Sequence, residues 1–178
     1  VIFFIPGPLV GAATFPGVIV HEAAHQLACR LRGVPVLDVK YFQFANPNGY
    51  VLHGRTDDFV STFAITIGPF VVNTLLCLLI CLPAFVPVYS FDHSDPLSFF
   101  LIWLGISIGM HAFPSNQDAS QLWEQALKKA KDLHPLALLS LPLVGLVYVM
   151  NIGRFFWLDA LYGVGVGLGL PLLLLKAI

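Results

Sequence analysis

The sequence predicts an all-α polytopic membrane protein of about five membrane helices, with a small cytoplasmic β-hairpin after the first core helix. Three observations carry this. Of 178 residues, 57% are hydrophobic and only 11% charged, whereas a soluble domain carries about 25% charge. The charges cluster, which leaves long uncharged apolar blocks. One stretch, residues 34–55, alternates with a period of two instead. The net charge of −1 argues against a nucleic-acid partner. Cys29, Cys77 and Cys81 are odd in number and lie in apolar surroundings, so no disulfide framework is expected. Cys77 and Cys81 share a helix face, where packing is the expected role.

The elements follow in order. Residues 1–9 are apolar but hold Pro6 and Pro8, so a helix is expected from about Pro8 to Leu31, with proline tolerated in its first turn. At 1.5 Å per residue its ~24 residues cover roughly 36 Å, enough for a tilted span. Pro16 is expected to kink it. No cleaved signal peptide is expected, because the first apolar run lacks a basic flank. Leu37, Val39 and Tyr41 then alternate with Asp38 and Lys40. Asn46-Pro47-Asn48-Gly49 is a turn signal, and Tyr50 to His53 is the return strand. The second span runs from Phe59 to Leu82, interrupted by Gly68-Pro69, carrying Asn73 and closed by Pro83 and Pro87. The third runs from Leu97 to Phe113. Ser115 and Asp118 have capping-box spacing and start an amphipathic helix, to about Leu133, expected at the membrane surface. Leu136 to Met150 and Phe155 to Leu175 are the fourth and fifth spans. In the last, Gly163, Gly165, Gly167 and Gly169 make two small-xxx-small pairs for close helix packing. The whole chain, 1–178, reads as one integral membrane domain, with a core at 8–125 and additional helices at 134–178.

Basic residues set the expected orientation. Arg30, Arg32, Lys40, Arg55, Lys128, Lys129, Lys131 and Lys176 fall on one side if five spans alternate, and Arg154 on the other. That asymmetry makes their side cytoplasmic. It puts His21 roughly 14 Å inside that face, within the bilayer.

The first core helix carries His21-Glu22-Ala23-Ala24-His25. Three ionisable groups in an apolar run need a partner or a function. On a helix the two histidines are i and i+4 and leave the same face. This is the HExxH arrangement, with two zinc-ligating imidazoles and a carboxylate able to take a proton from water at the metal. A catalytic zinc needs a third protein ligand. From the residues alone the candidates are Asp118, Glu124, His111, His53 and His93. His93 falls on the far side, His134 lies beyond the amphipathic helix, and Glu124 shares a helix with lysines. His111 is at a usable depth. Asp118 sits where a helix breaks and restarts, which a membrane protein tolerates where the backbone is buried or lines a cavity.

These motifs resemble those of the site-2 protease family of intramembrane zinc metalloproteases. The likeness rests on His21-Glu22-Ala23-Ala24-His25, on Gly68-Pro69 with Asn73, and on Pro114-Ser115-Asn116-Gln117-Asp118. It covers roughly residues 8–125. The sequence departs from the family in having Gln117-Asp118-Ala119 in place of Leu-Asp-Gly, and its Asn73 is one residue further along than the pattern. With no PDZ-like insertion, it resembles a minimal member. The resemblance implies one zinc ion held by His21, His25 and Asp118, with Glu22 activating water. Asn73 is a candidate hydrogen-bond donor to substrate or oxyanion, against the alternative of interhelical glue. The implied activity is cleavage of membrane-spanning protein substrates near the cytoplasmic side. The hairpin at 34–54 would hold the unwound substrate by strand addition, against the alternative of a plain connection. The competing expectation is a non-proteolytic metal-binding membrane protein, either a metal transporter or an inactive relative that binds membrane helices.

Overall fold

The computed structural model describes residues 7–91, 95–153 and 156–177. His93, Arg154 and the apolar stretch before Gly7 lie outside the described residues. The chain is mainly helical, with one two-stranded antiparallel sheet.

The first helical stretch is two helices, α1 (Gly7–Ala13) and α2 (Phe15–Leu31). A single kinked helix was expected, but the chain breaks at Thr14, whose Oγ1 donates to the Val10 carbonyl at 2.7 Å. Pro16 explains the break. It has no N–H, and its ring opposes the carbonyl four residues back, so it is accommodated in the first turn of a new helix. At the other end Gly33 has φ +66°. Val34 N donates to Cys29 O and Gly33 N to Arg30 O. That pair of bonds closes a helix through a left-handed residue, where glycine avoids the Cβ clash.

Strands β1 (Val36–Lys40) and β2 (Tyr50–His53) form the expected hairpin. Their register shifts between Val36 and Asp38, so Leu37 is left exposed. Val36 packs on the buried cluster of Cys29, Val34 and Ile65, which seats the hairpin against α2 and the next helix.

Helix α3 (Phe59–Ser90) has 32 residues and continues through Pro69, Pro83 and Pro87. It was expected to stop at Leu82. The apolar run continues past that point, and a proline in a membrane-type helix costs one backbone bond without ending the segment. Helix α4 (Pro96–Met110) ends at His111, three residues before Pro114. Helix α5 (Asn116–Lys131) and α6 (Pro135–Gly153) follow, then α7 (Leu158–Val164), a π-helical turn (Gly165–Gly169) and α8 (Leu170–Ala177).

Among the described residues, three helical stretches are long and apolar enough to cross a membrane: Phe59–Ser90, Pro135–Gly153 and Leu158–Ala177. The other two expected spans are shorter. Helix α2 has 17 residues and α4 has 15, or about 26 and 23 Å of rise against a ~30 Å hydrocarbon core.

Helix α5 was expected at the membrane surface. One face of it packs antiparallel along α6, with Leu122 and Ala126 buried against Phe59, Ala137 and Val144. Trp123 stacks on Tyr148 at 5.6 Å. Gln125 Nε2 donates to the Thr56 carbonyl at 3.0 Å. The buried face of Ala119, Leu122 and Ala126 has helical spacing. Of the four late glycines, Gly163 and Gly167 meet α4 and the two cysteines of α3, whereas a Cβ at Gly165 or Gly169 would meet nothing. One small-xxx-small pair therefore serves packing.

Candidate metal centre

The two histidines of the motif are held by different neighbours. His21, Glu22 and His25 are all buried on α2. His21 donates from Nδ1 to the carbonyl of His111, just past the end of α4, at 2.6 Å. This fixes the tautomer and leaves Nε2 with a bare lone pair. That Nε2 lies 3.1 Å from His25 Nε2. His25 Nε2 in turn lies 3.3 Å from Asp118 Oδ2. The His25 ring also lies against the backbone of Ile65 on α3.

Asp118 arrives from far along the chain. Ser115 is the N-cap of α5, and its capping box is complete. Ser115 N and Oγ donate to Asp118 Oδ2 at 3.2 and 2.6 Å, and Asp118 N donates to Ser115 Oγ at 3.1 Å. The two roles weighed for Asp118, helix cap and metal ligand, are therefore compatible in one residue. The cap aims the carboxylate, and the same oxygen reaches His25.

Among the described residues, His21, His25 and Asp118 are the group of ligand-type side chains whose donor atoms all lie within 4.8 Å of one another. Zinc bonds of about 2.0–2.2 Å in a tetrahedron put ligand atoms about 3.3 Å apart. Two of the separations, 3.1 and 3.3 Å, are close to that edge, and all three donor atoms lie within 4.8 Å of one another, so the side chains are spaced to hold a metal ion. Two imidazole nitrogens and a carboxylate oxygen this close need a cation or a shared proton between them.

The other candidate ligands lie elsewhere. His111 turns its ring to Thr14, with Nε2 2.8 Å from Oγ1, and offers the cluster only its carbonyl. His53 Nδ1 faces the Gly54 carbonyl. His134 Nδ1 accepts from Ala137 N at the start of α6. Glu124 is exposed.

Glu22 lies under the hairpin turn. A Cβ on Gly49 would come within 2.8 Å of Glu22 Cγ and 3.0 Å of Val18 Cγ1. Tyr41 OH donates to Gln26 Oε1 at 2.5 Å, one helical turn beyond Glu22. The loop thus roofs the carboxylate. Asn73 is fully buried, and its Nδ2 donates to Ile108 O and His111 O at 3.1 Å and to Gly17 O at 3.4 Å. Its NH2 ties three helices, which is the interhelical role. Among the described residues its Oδ1 has no hydrogen-bond partner.

Sequence reasoning missed three contributors: Thr14, Gly49 and the His111 carbonyl. Thr14 was the one that could have been found, as a polar residue two positions before a helix-breaking proline. No family model matches the chain, and neither a curated protein nor a solved structure matches it.

Proposed function

We propose that this chain is an intramembrane zinc metalloprotease of the site-2 type, which hydrolyses peptide bonds of membrane-spanning substrates near the cytoplasmic side. One observation carries the reading: the donor atoms of His21, His25 and Asp118 lie within 4.8 Å of one another beside the buried Glu22. Bound zinc would supply a Lewis acid that brings the pKa of water to about 7.

The chain's own residues do the rest. His21 and His25 present Nε2 to the ion, and Asp118 supplies the third ligand atom. Glu22 takes a proton from the attacking water and passes it to the leaving amine. The hairpin holds the target as an added strand. Among the described residues the sheet has two strands, and we assign the substrate to the outer edge of β1 as a third. A helical substrate has to unwind locally to be held that way.

The membrane setting rests on the three long apolar helices and on the basic residues. If the five expected spans alternate, Arg30, Arg32, Lys40, Arg55, Lys128, Lys129, Lys131 and Lys176 fall on the hairpin side, and we assign that side to the cytoplasm.

The test pairs purified wild type with Glu22→Gln. Both are expected to hold about one zinc per chain, and only wild type to cleave a single-span substrate in proteoliposomes. Equal cleavage by Glu22→Gln would remove the general-base assignment. A wild type that holds zinc and cuts nothing would favour the non-proteolytic alternative.

A further inference from the structure

Inside a bilayer, a carbonyl left over at a helix end or opposite a proline has to find a donor. Two such carbonyls lie against the two histidines. The first is His111 O, beyond the last turn of α4. It accepts from His21 Nδ1 at 2.6 Å and from Asn73 Nδ2 at 3.1 Å. The Asn73 amide also reaches Ile108 O and Gly17 O. It therefore pins the end of α4 to α2 and α3 at the atom on which His21 rests.

The second is Ile65 O. In an α-helix this carbonyl would accept from the N–H four residues on, but that residue is Pro69, which has none. The His25 ring lies against the Ile65 backbone, and we assign the freed carbonyl to it. Its Nε2 is the atom facing Asp118, which leaves Nδ1 for the carbonyl. Each histidine thus rests on an acceptor that an interruption in a neighbouring helix sets free.

We propose that Asn73 and Pro69 are positioning residues, which hold His21 and His25 with Nδ1 protonated and Nε2 bare, ready for a divalent metal ion. The inference rests on the metal-centre reading above and adds how the ligands are prepared for it. Neither residue touches metal or substrate. Asn73 acts through the His111 carbonyl, and Pro69 acts by withholding a competing N–H. This also reassigns Asn73, because its NH2 is already committed to three carbonyls and is not free for an oxyanion.

The experiment is a Co2+ titration of the full chain in detergent, with Zn2+ competition and the visible cobalt band as readout. Partners of this kind typically govern metal affinity by 10–100-fold. Asn73→Leu and Pro69→Ala are each expected to weaken zinc by about that factor and to shift the cobalt band. Ser107→Ala is the control. Ser107 Oγ is buried without a hydrogen-bond partner, and its removal is expected to leave affinity unchanged. Pro69→Ala restores a helix N–H, so weaker binding with undiminished helicity cannot come from unfolding of α3.

A second readout needs no metal. Imidazole 15N shifts of the metal-free protein are expected to report Nδ1–H for both rings in wild type. His21 alone is expected to become mixed in Asn73→Leu, and His25 alone in Pro69→Ala. Variants that bind as tightly as wild type, with both rings unchanged, would overturn the positioning role and leave the metal centre standing. A wild type with no cobalt uptake dependent on His21 and His25 would overturn both readings.

Discussion

His25 Nε2 and Asp118 Oδ2 lie 3.3 Å apart, although one belongs to the second helix and the other to the first turn of the fifth. The contact joins a side chain fixed by helix spacing to one fixed by a capping box. The capping box is what makes the meeting reproducible. Ser115 holds Oδ2 by two hydrogen bonds, so the carboxylate is aimed before anything binds.

That double duty separates two substitutions. Asp118→Ala loses both ligand and cap, so zinc occupancy is expected to fall and stability to drop by about 1 kcal/mol. Asp118→Asn keeps a cap acceptor and is expected to lose metal affinity with little change in unfolding. His111→Ala keeps its backbone carbonyl, so it is expected to retain zinc. Metal analysis beside thermal unfolding of the three purified variants checks this. Zinc lost from His111→Ala but kept in Asp118→Ala would exchange their roles.

Gly49→Ala addresses the roof over Glu22. The new methyl meets Glu22 Cγ at 2.8 Å and Val18 Cγ1 and the Tyr41 carbonyl at 3.0 Å. Either the carboxylate or the turn has to move. The expected outcome is full zinc content with cleavage reduced about tenfold or more, because displacement of about 1 Å at a catalytic group can cost that much. Turnover measured on metal-replete protein is the check.

Gly17 lies where α2 and α4 nearly touch. A Cβ there would overlap the Ser107 carbonyl and approach His111 Cδ2 at 2.6 Å. Gly17→Ala is expected to destabilise by about 1–3 kcal/mol or more and to loosen His21, which rests on residue 111. Gly165→Ala is the contrast. Its φ is −60° and nothing lies within 4 Å of the added carbon, so it is expected to be neutral or to stabilise by about 0.4–1 kcal/mol. Thermal unfolding in one detergent compares them.

Acid acts at the junction of α2 and α3, outside the spans. Asp58 caps α3, and the Ser61 hydroxyl and amide together with Arg32 hold its carboxyl down at about 2. The unfolded value is about 3.9. The folded pKa is the lower one, so the contribution is fully present above about pH 4 and is lost as pH falls toward 2. The Asp58 side chain is 51% exposed, so screening limits the effect to under about 1 kcal/mol. Wild type is expected to lose more stability than Asp58→Asn between pH 4 and 2, measured as the thermal midpoint. Parallel curves would remove Asp58 as the source.

The motif helix, the hairpin and the Ser115–Asp118 start were legible because each depends on side-chain letters at fixed spacing. The supports of the two histidines were not, because a backbone carbonyl has no letter. The acceptors are His111 O and Ile65 O, and only the approach of α4 and α3 reveals them. The split at Thr14 was hidden for a related reason, since Pro16 signals a disturbance equally well as a kink or as a new first turn. The partner of α5 was illegible because its apolar stripe does not say whether lipid or α6 will cover it. The length of α3 was misjudged by treating Pro83 and Pro87 as stops in a run apolar enough to continue.

Helices α5 and α6 form a hairpin that leans on α3 through Phe59, Leu122 and Ala126, while His21 and His25 belong to α2. The three donor atoms are therefore divided between two helical pieces. The His25–Asp118 contact exists only once those pieces have docked. Docking of α5 and the gathering of His21, His25 and Asp118 are the same event, so a chain in which α5 has not docked has only two of the three side chains in place.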